Sequence, residues 1–286
     1  MSTSPYFLLG LAVLFVSFGS ILIRLAQAPA LAVSFYRVFL AAACLAPFAA
    51  RDARRSWPKL PPRHRWVLLA SGAALALHFA TWIASLDFTS IASSVLLVNT
   101  APLFAVVLSR VFLGEETSSL VLGAIGIALL GAGIIAAGDW AAAPSTLGGN
   151  ALAVAGAATL AVYHVIGRGL RAALPLNAYV LGAWSTAALT LALLCAGFGV
   201  RLAGYPPKAL VLFLALAIVP TLGGHGLVNR SLRALPAPTV GLFLLGEPLG
   251  ASMLAYLVFG EVPSATTLLG GLLVLVALAL VLLRRG

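Results

Sequence analysis

Two segments of this chain follow the same pattern: LVNTAPLFAVVLSRVFLGE (residues 97–115) and FLLGEPLGASMLAYLVFGE (residues 243–261). Each position of the first segment has its counterpart 146 positions later. Both contain a proline, Pro102 or Pro248, and both end on Gly-Glu. Because proline interrupts the hydrogen bonding of a helix, an interrupted apolar segment that occurs twice indicates an internal repeat with a break in each copy.

The composition indicates a chain that is solvated by lipid rather than by water. Of its 286 residues, 62% are hydrophobic and 8% are charged, and the mean hydropathy is +1.10. A typical soluble domain has about 25% charged residues, so this chain has too few to cover a water-facing surface. The net charge of +10 does not indicate nucleic-acid binding, because the basic residues cluster at the ends of apolar runs.

The sequence contains ten apolar runs, each with about the 20 residues that a helix needs to cross a bilayer. We number them as spans 1 to 10, at residues 6–26, 30–50, 66–86, 90–112, 118–137, 149–168, 176–200, 209–229, 236–259 and 264–283. The connections between them are short. The predicted fold class is therefore an all-α integral membrane protein with ten transmembrane helices.

The distribution of Lys and Arg predicts the orientation of the spans. Six basic residues lie in the loop 51–65, and cytoplasmic loops carry an excess of such residues. With this loop in the cytoplasm, ten crossings place both termini there too. Thirteen basic residues then fall on the cytoplasmic side and three on the other, Arg24, Arg201 and Lys208, while Arg37 lies within a span.

The repeat predicts two halves of opposite orientation. Five spans separate equivalent points of the two copies, and because five is odd, every crossing is reversed in the second copy. Glu115 and Glu261 are then expected on opposite faces. We predict two inverted five-helix repeats, at residues 1–145 and 146–286, related by a pseudo-twofold axis in the membrane plane. Such repeats allow a buried site to face each side in turn, whereas a duplicated passive scaffold would show the same pattern.

The chain resembles the drug/metabolite transporter superfamily in its EamA-type ten-helix form. The likeness rests on the two Pro-to-Gly-Glu segments, the pair Glu247-Pro248, and Phe35-Tyr36-Arg37 in span 2, and it covers essentially the whole chain. Within the superfamily it looks most like bacterial inner-membrane exporters of aromatic amino acids. The resemblance implies a secondary transporter that exports amino acids and related metabolites across that membrane. The alternatives are another metabolite or drug as the solute, or import.

Two ionisable residues, Arg37 and Glu247, lie near mid-depth of their spans. A charge at this depth costs about 2.5–3.5 kcal/mol on insertion scales. One interpretation is that the two line a cavity and bind the carboxylate and the ammonium of a zwitterion. The other is that they pair with each other or with the backbone as a structural clamp.

Five polar or aromatic side chains are further candidates for binding a solute. His78 and Trp82 share one face of span 3, where they either stack on a ligand or make helix–helix and membrane-interface contacts. Asn99, near mid-depth of span 4, is a candidate for a hydrogen bond across helices. Tyr163 and Trp184, in spans 6 and 7, either form walls for an apolar ligand or pack in the core.

Four residues are candidate hinges: Pro102, Pro248, Gly246 and Gly250. A proline within a helix frees a carbonyl one turn back, which in lipid needs protein or water as a partner. The prolines mark either hinges beside a hydrated cavity or static kinks. Gly246 and Gly250 have the spacing that lets helices approach closely, and the GGHG run at 223–226 is another candidate for a bend or close packing.

The sequence lacks the motifs of several other classes. It has no GxxxxGK[ST] phosphate loop, and neither HExxH nor a Cys/His cluster for a metal. A membrane-embedded transferase, the enzymatic alternative, needs grouped acids near Mg²⁺, whereas the seven acids here are scattered. A channel needs a ring of charges or carbonyls. We expect a transporter without cofactor or metal, able to act as a monomer, whose partners are a small solute and the lipid bilayer.

Overall fold

The computed structural model describes residues 4–88, 91–140, 147–171, 173–260 and 265–283. Every regular element in these ranges is helical. The helices are α1 (Pro5–Ala26), α2 (Ala30–Ser56), α3 (Pro62–Ser85), α4 (Ile91–Val98), α5 (Ala101–Leu113), α6 (Ser119–Trp140), α7 (Leu147–Leu170), α8 (Leu176–Gly197), α9 (Pro207–Leu216), α10 (Gly226–Ser231), α11 (Ala237–Leu244), α12 (Glu247–Phe259) and α13 (Ala265–Leu283). A 3₁₀ turn, Trp57–Lys59, follows α2, and a π-helical segment, Ala217–His225, joins α9 to α10.

These helices match the ten predicted spans in order. Span 4 consists of α4 and α5, span 8 of α9, the π segment and α10, and span 9 of α11 and α12, while each remaining span is one helix. Within the described residues, seven helical segments are long and apolar enough to cross a membrane. Shorter apolar helices, Ala101–Leu113, Ser119–Gly131 and Leu268–Leu283, fall in spans 4, 5 and 10. The predicted all-α membrane fold is confirmed.

The end of span 2 differs from the prediction. Helix α2 continues through Pro47 to Ser56 instead of ending near residue 50. Arg54 and Arg55 occupy its last turn, where a positive charge interacts favourably with the helix dipole. The first part of the basic loop is therefore helical.

The packing between spans repeats when the two halves are exchanged. Span 3 packs on span 6, and their counterparts, spans 8 and 1, pack on each other in the same way. Span 4 contacts span 6, and the counterpart span 9 contacts span 1. Span 2 contacts span 8, and the counterpart span 7 contacts span 3. Equivalent spans, such as 2 and 7 or 5 and 10, pack directly on each other. This is the contact pattern expected of two copies related by a pseudo-twofold axis.

Contacts between span 1 and span 8 show that these helices run antiparallel. Gly19, late in α1, lies against Pro220, while the hydroxyl of Ser231 reaches the carbonyl of Pro5 at the start of α1. The predicted boundary between residues 145 and 146, and Glu261, lie outside the described residues.

Candidate functional site

A small, partly open cavity lies where the two halves meet. Its polar lining consists of Arg37, His78, Trp82, Asn99, His225 and Glu247, and its apolar lining of Val16, Gly19, Val98, Leu160, Pro220 and Leu244. Its volume is about 30 Å³, which is room for one or two water molecules. Five of the seven predicted solute-binding residues thus come together, from spans 2, 3, 4 and 9; spans 1, 6 and 8 also contribute.

Arg37 is almost fully enclosed, with 1% of its surface exposed. Its Nε donates a hydrogen bond to the Thr221 hydroxyl over 3.2 Å, and its guanidinium carbon lies 4.0 Å from the centroid of the Phe79 ring. Its Nη1 is buried and has no hydrogen-bond partner in the described part of the chain. Because an unpaired charged donor is costly to bury, this atom offers a position for an acceptor.

An irregular turn in span 8 supports Arg37. Residues Ala217–His225 are wound as a π-helix that contains Pro220, which has no backbone N–H to donate. Thr221 donates its hydroxyl hydrogen to the carbonyl five positions back at 2.7 Å. The turn thereby presents Thr221 to Arg37, and places Pro220 and His225 at the cavity. Segments of this kind are frequent at functional sites.

Glu247 is the first residue of α12 and borders the same cavity. The positive end of a helix dipole stabilises a carboxylate at this position. Among the described residues, Arg37 and Glu247 do not come within the 4.0 Å that defines an ion pair; the ion pairs present there join other residues. The direct clamp considered from the sequence is therefore not formed, and both charges border the cavity.

His78 and Trp82 form one wall of the cavity. The two rings stack with centroids 5.8 Å apart and planes 10° apart. Nδ1 of His78 lies 3.0 Å from the Gly156 carbonyl; since a carbonyl only accepts, Nδ1 carries the hydrogen and Nε2 is left as an acceptor. Nε1 of Trp82 is a second buried donor without a partner in the ranges described.

His225 belongs to this cavity, although its sequence context indicates only the GGHG bend. Its ring centroid lies 6.5 Å from that of His78, with planes 65° apart. Its Nδ1 is buried and unpartnered among the residues described. The sequence repeat does point to this position. The residue 146 positions after His78 is Gly224, which directly precedes His225.

Asn99 lines the cavity just after α4. Its Nδ2 donates to the carbonyl of Val95 at 2.7 Å, so this hydrogen bond lies within span 4 and is not the bond across helices for which Asn99 was a candidate. With this donor engaged, the carboxamide oxygen is the atom that can accept a hydrogen bond from a ligand.

Tyr163 and Trp184 lie outside the cavity lining, in a separate buried network. The Tyr163 hydroxyl accepts hydrogen bonds from Nε1 of Trp184 at 3.3 Å and from Nδ2 of Asn229 at 2.6 Å. Asn229 also donates to the carbonyl of His225 at 2.8 Å, which links this network to the cavity wall. In this conformation the two aromatic residues pack spans 6, 7 and 8 together.

Both repeated segments contain a helix break at the same repeat position. Pro102 and Pro248 are the second residues of α5 and α12, so each begins a new helix instead of kinking a continuous one. Hydrogen bonds of three-residue spacing occur at matching positions: Thr100 N to Leu97 O at 3.2 Å, and Gly246 N to Phe243 O at 3.0 Å. A proline is well tolerated at the start of a helix. The breaks are suited to hinge motion; the hinge role itself stays a prediction.

The two glycines of span 9 allow span 1 to approach closely. A Cβ at Gly246 would lie 3.2 Å from Cγ1 of Val13, and a Cβ at Gly250 would overlap the Ser17 hydroxyl oxygen. This agrees with the close-packing interpretation of their spacing. It also fixes the start of α12, and with it Glu247, against α1.

In the described part of the chain, no three His, Cys, Asp or Glu side chains cluster in a way that could hold a metal ion. The lining groups of the cavity are instead hydrogen-bond donors and acceptors of both signs. They are suited to binding a small polar or zwitterionic molecule.

Comparison with known proteins identifies the family. The model of the EamA-like transporter family matches the chain twice, over residues 3–137 and 147–283. An uncharacterized transporter from Archaeoglobus fulgidus is 27% identical over 259 residues, which are 90% of this chain and 88% of that protein. A protein of known crystal structure has the same fold, with a TM-score of 0.80 and 19% identity over 99% of both chains. The chain belongs to the EamA-like transporter family.

Proposed function

We propose that this transporter exports amino acids and related amphipathic metabolites by alternating access, and that the buried cavity is its solute site. The observation that carries the proposal is that Arg37 and Glu247 border one cavity without pairing with each other. Buried charges in a membrane protein need compensation. A zwitterionic solute supplies a carboxylate for one and an ammonium for the other.

The polar atoms of the cavity support this assignment. Nη1 of Arg37 and Nε1 of Trp82 are unused donors, which suit the carboxylate of an amino acid. Glu247, the carboxamide oxygen of Asn99 and Nε2 of His78 are acceptors, which suit its ammonium group. The face of Trp82 and the apolar lining suit a hydrocarbon or aromatic side chain.

The small volume of the cavity supports an alternating-access cycle. A volume of about 30 Å³ holds water but no amino acid, so binding requires the helices to move. The breaks that precede Pro102 and Pro248 are positions where α5 and α12 can reorient. In span 9, Gly246 and Gly250 are in close contact with span 1. We propose that a monomer carries out this cycle.

We further propose that residues 1–145 and 146–286 are inverted repeats, and that the basic loop and both termini face the cytoplasm of a bacterial cell. The two family matches, the exchange-symmetric packing and the antiparallel contact of spans 1 and 8 support the first part. The excess of Lys and Arg on one side supports the second. Export and the inner membrane follow from the resemblance to bacterial exporters.

Counterflow in proteoliposomes tests this function. Vesicles are loaded with unlabelled phenylalanine, and uptake of labelled phenylalanine is compared with that in protein-free vesicles. Phenethylamine, which lacks the carboxylate, and 3-phenylpropionate, which lacks the ammonium, are then tested as competitors. We expect saturable exchange, with each analogue competing about 10- to 100-fold more weakly, as expected for the loss of one charged hydrogen bond. Absence of exchange for a panel of amino acids would overturn the assignment.

A further inference from the structure

A second recess lies on the membrane-facing surface, between α3 and α8, away from the central cavity. This α3–α8 groove has a volume of about 500 Å³, and Leu68, Leu69, Ser185 and Thr186 form its walls. The two helices cross closely beside it, because a Cβ at Gly182 would lie 2.8 Å from Cδ2 of Leu68. The groove is therefore an apolar recess next to a tight helix crossing.

A rigid basic turn closes one end of the groove. Trp57 donates from Nε1 to the carbonyl of Ala178 at 3.2 Å, which ties the turn to α8. Arg65 donates to the carbonyls of Leu60 and Pro58, each at 3.0 Å. These bonds hold the exposed guanidinium of Arg65 at the mouth of the groove, so that little side-chain freedom is lost when it binds a ligand.

The surroundings of the mouth are strongly positive and lie at the expected level of lipid headgroups. The segment 51–65 contains six Lys and Arg residues and one acid, Asp52, and Asp52 accepts a hydrogen bond from Asn177. Trp66, beside Arg65, is 72% exposed, as is typical of tryptophan in an interfacial belt. Clusters of four to eight basic residues next to a membrane span attract anionic lipids.

We propose that the α3–α8 groove binds an anionic phospholipid, with its phosphate on Arg65 and one acyl chain along the groove. The lining runs from Arg65 to Leu69 on α3 and from Gly182 to Thr186 on α8, about 6 Å along each helix at 1.5 Å per residue, so the groove accommodates the first methylene groups of an acyl chain. The apolar walls suit the chain, and the fixed guanidinium suits the phosphate. This proposal is independent of which solute the protein transports.

Native mass spectrometry of the purified, delipidated protein tests the proposal. The protein is titrated with dioleoyl-phosphatidylglycerol or with zwitterionic dioleoyl-phosphatidylcholine, and the first bound lipid is quantified. Three variants are compared: Arg65→Gln, Ser185→Trp, which fills the groove from an exposed position, and Arg63→Gln, which removes a nearby exposed charge that does not line the groove. Thermal unfolding verifies that each variant is folded.

We expect the wild-type protein to prefer phosphatidylglycerol, and Arg65→Gln to weaken binding of that lipid about fivefold, the value of one basic residue near a charged surface. Ser185→Trp should weaken binding of both lipids, whereas Arg63→Gln should have the smaller effect. Equal binding of the two lipids by the wild-type protein would overturn the proposal. So would equal losses in the two arginine variants, or unchanged lipid binding in folded Ser185→Trp.

Discussion

Arg168 donates a hydrogen bond from Nε to Oε1 of Glu115 over 2.9 Å, and this ion pair joins the end of α7 to the segment that follows α5. Nη1 of Arg168 also donates to the carbonyls of Leu232 and Arg233, which follow α10. One guanidinium therefore holds together the ends of spans 4, 6 and 8. Since all three spans line the central cavity, we infer that these bonds help to close the cavity on this face.

Loss of the ion pair should loosen this closure. In Glu115→Gln the charge is removed, while the bonds from Arg168 to the two carbonyls remain. A cysteine at position 19, where Gly19 lines the cavity, serves as the reporter of access. We expect an impermeant thiol reagent added on the Glu115 face to react about 1.5- to 5-fold faster, since partly exposed ion pairs contribute about 0.2–1 kcal/mol.

Glu116→Gln is the matched control for this prediction. Glu116 lies 3.9 Å from Arg110, and both side chains are at least three-quarters exposed, so this pair should contribute nothing measurable. An equal acceleration in Glu116→Gln and Glu115→Gln would show that overall charge, and not the bond to Arg168, controls access.

Replacement of Glu247 by Gln should impair transport without unfolding the protein. The amide keeps the shape of the side chain but removes the charge that the proposal assigns to the solute ammonium. We expect counterflow of phenylalanine to fall about 10-fold or more, as for a lost charged hydrogen bond, with an unchanged unfolding temperature. Competition by 3-phenylpropionate, which has no ammonium, should change less. Normal amino-acid exchange by this variant would remove Glu247 from the solute site.

His78→Asn separates the structural contact of His78 from its role in the cavity. The asparagine amide can still donate to the Gly156 carbonyl, but it lacks both Nε2 and the ring that stacks on Trp82. We expect near-normal thermal stability and an apparent KM about 10-fold higher, from one hydrogen bond and one aromatic contact. An unchanged KM would indicate that His78 is a helix–helix contact only.

Gly250→Ala should destabilise the contact between spans 1 and 9. The added methyl group would overlap the Ser17 hydroxyl oxygen, and overpacking of this kind costs about 1–3 kcal/mol. Removing that oxygen in the double variant Gly250→Ala/Ser17→Ala should restore part of the loss. Gly10→Ala, which meets nothing within 4 Å, should be neutral or slightly stabilising. The unfolding temperatures of the wild-type protein and the three variants are measured in detergent. An unchanged unfolding temperature in Gly250→Ala would contradict the packing described.

Much of the fold follows from the sequence because membrane spans obey two strong constraints, apolarity and length. The paired segments at 97–115 and 243–261 also indicate the two helix breaks from sequence alone. Arg37 and Glu247 are identifiable from sequence as candidate site residues, because charged groups are costly in lipid. Their shared cavity agrees with the view that such groups face the protein interior.

What the sequence did not indicate depends on winding and on side-chain direction. The π-helical turn in span 8 shifts the register of its residues, so His225 reaches the cavity although it appeared only as part of a glycine-rich bend. Tyr163 and Trp184 have the residue types of a ligand wall, yet their hydrogen bonds with Asn229 hold them in the packing between helices. Glu115 is marked by the repeat, but the sequence does not indicate Arg168 as its partner, since their contact joins residues 53 positions apart.

The most direct test of alternating access is to measure from which sides the central cavity can be reached. Gly19→Cys is made in a chain whose Cys44 and Cys195 are replaced by alanine, and an impermeant thiol reagent is added to right-side-out or inside-out vesicles. Glu116→Cys and Arg201→Cys serve as controls that should each react from one side only, and from opposite sides. We predict that the cysteine at position 19 reacts from both sides and is protected by the transported amino acid on both. Reaction from one side alone, under all solute conditions, would contradict it.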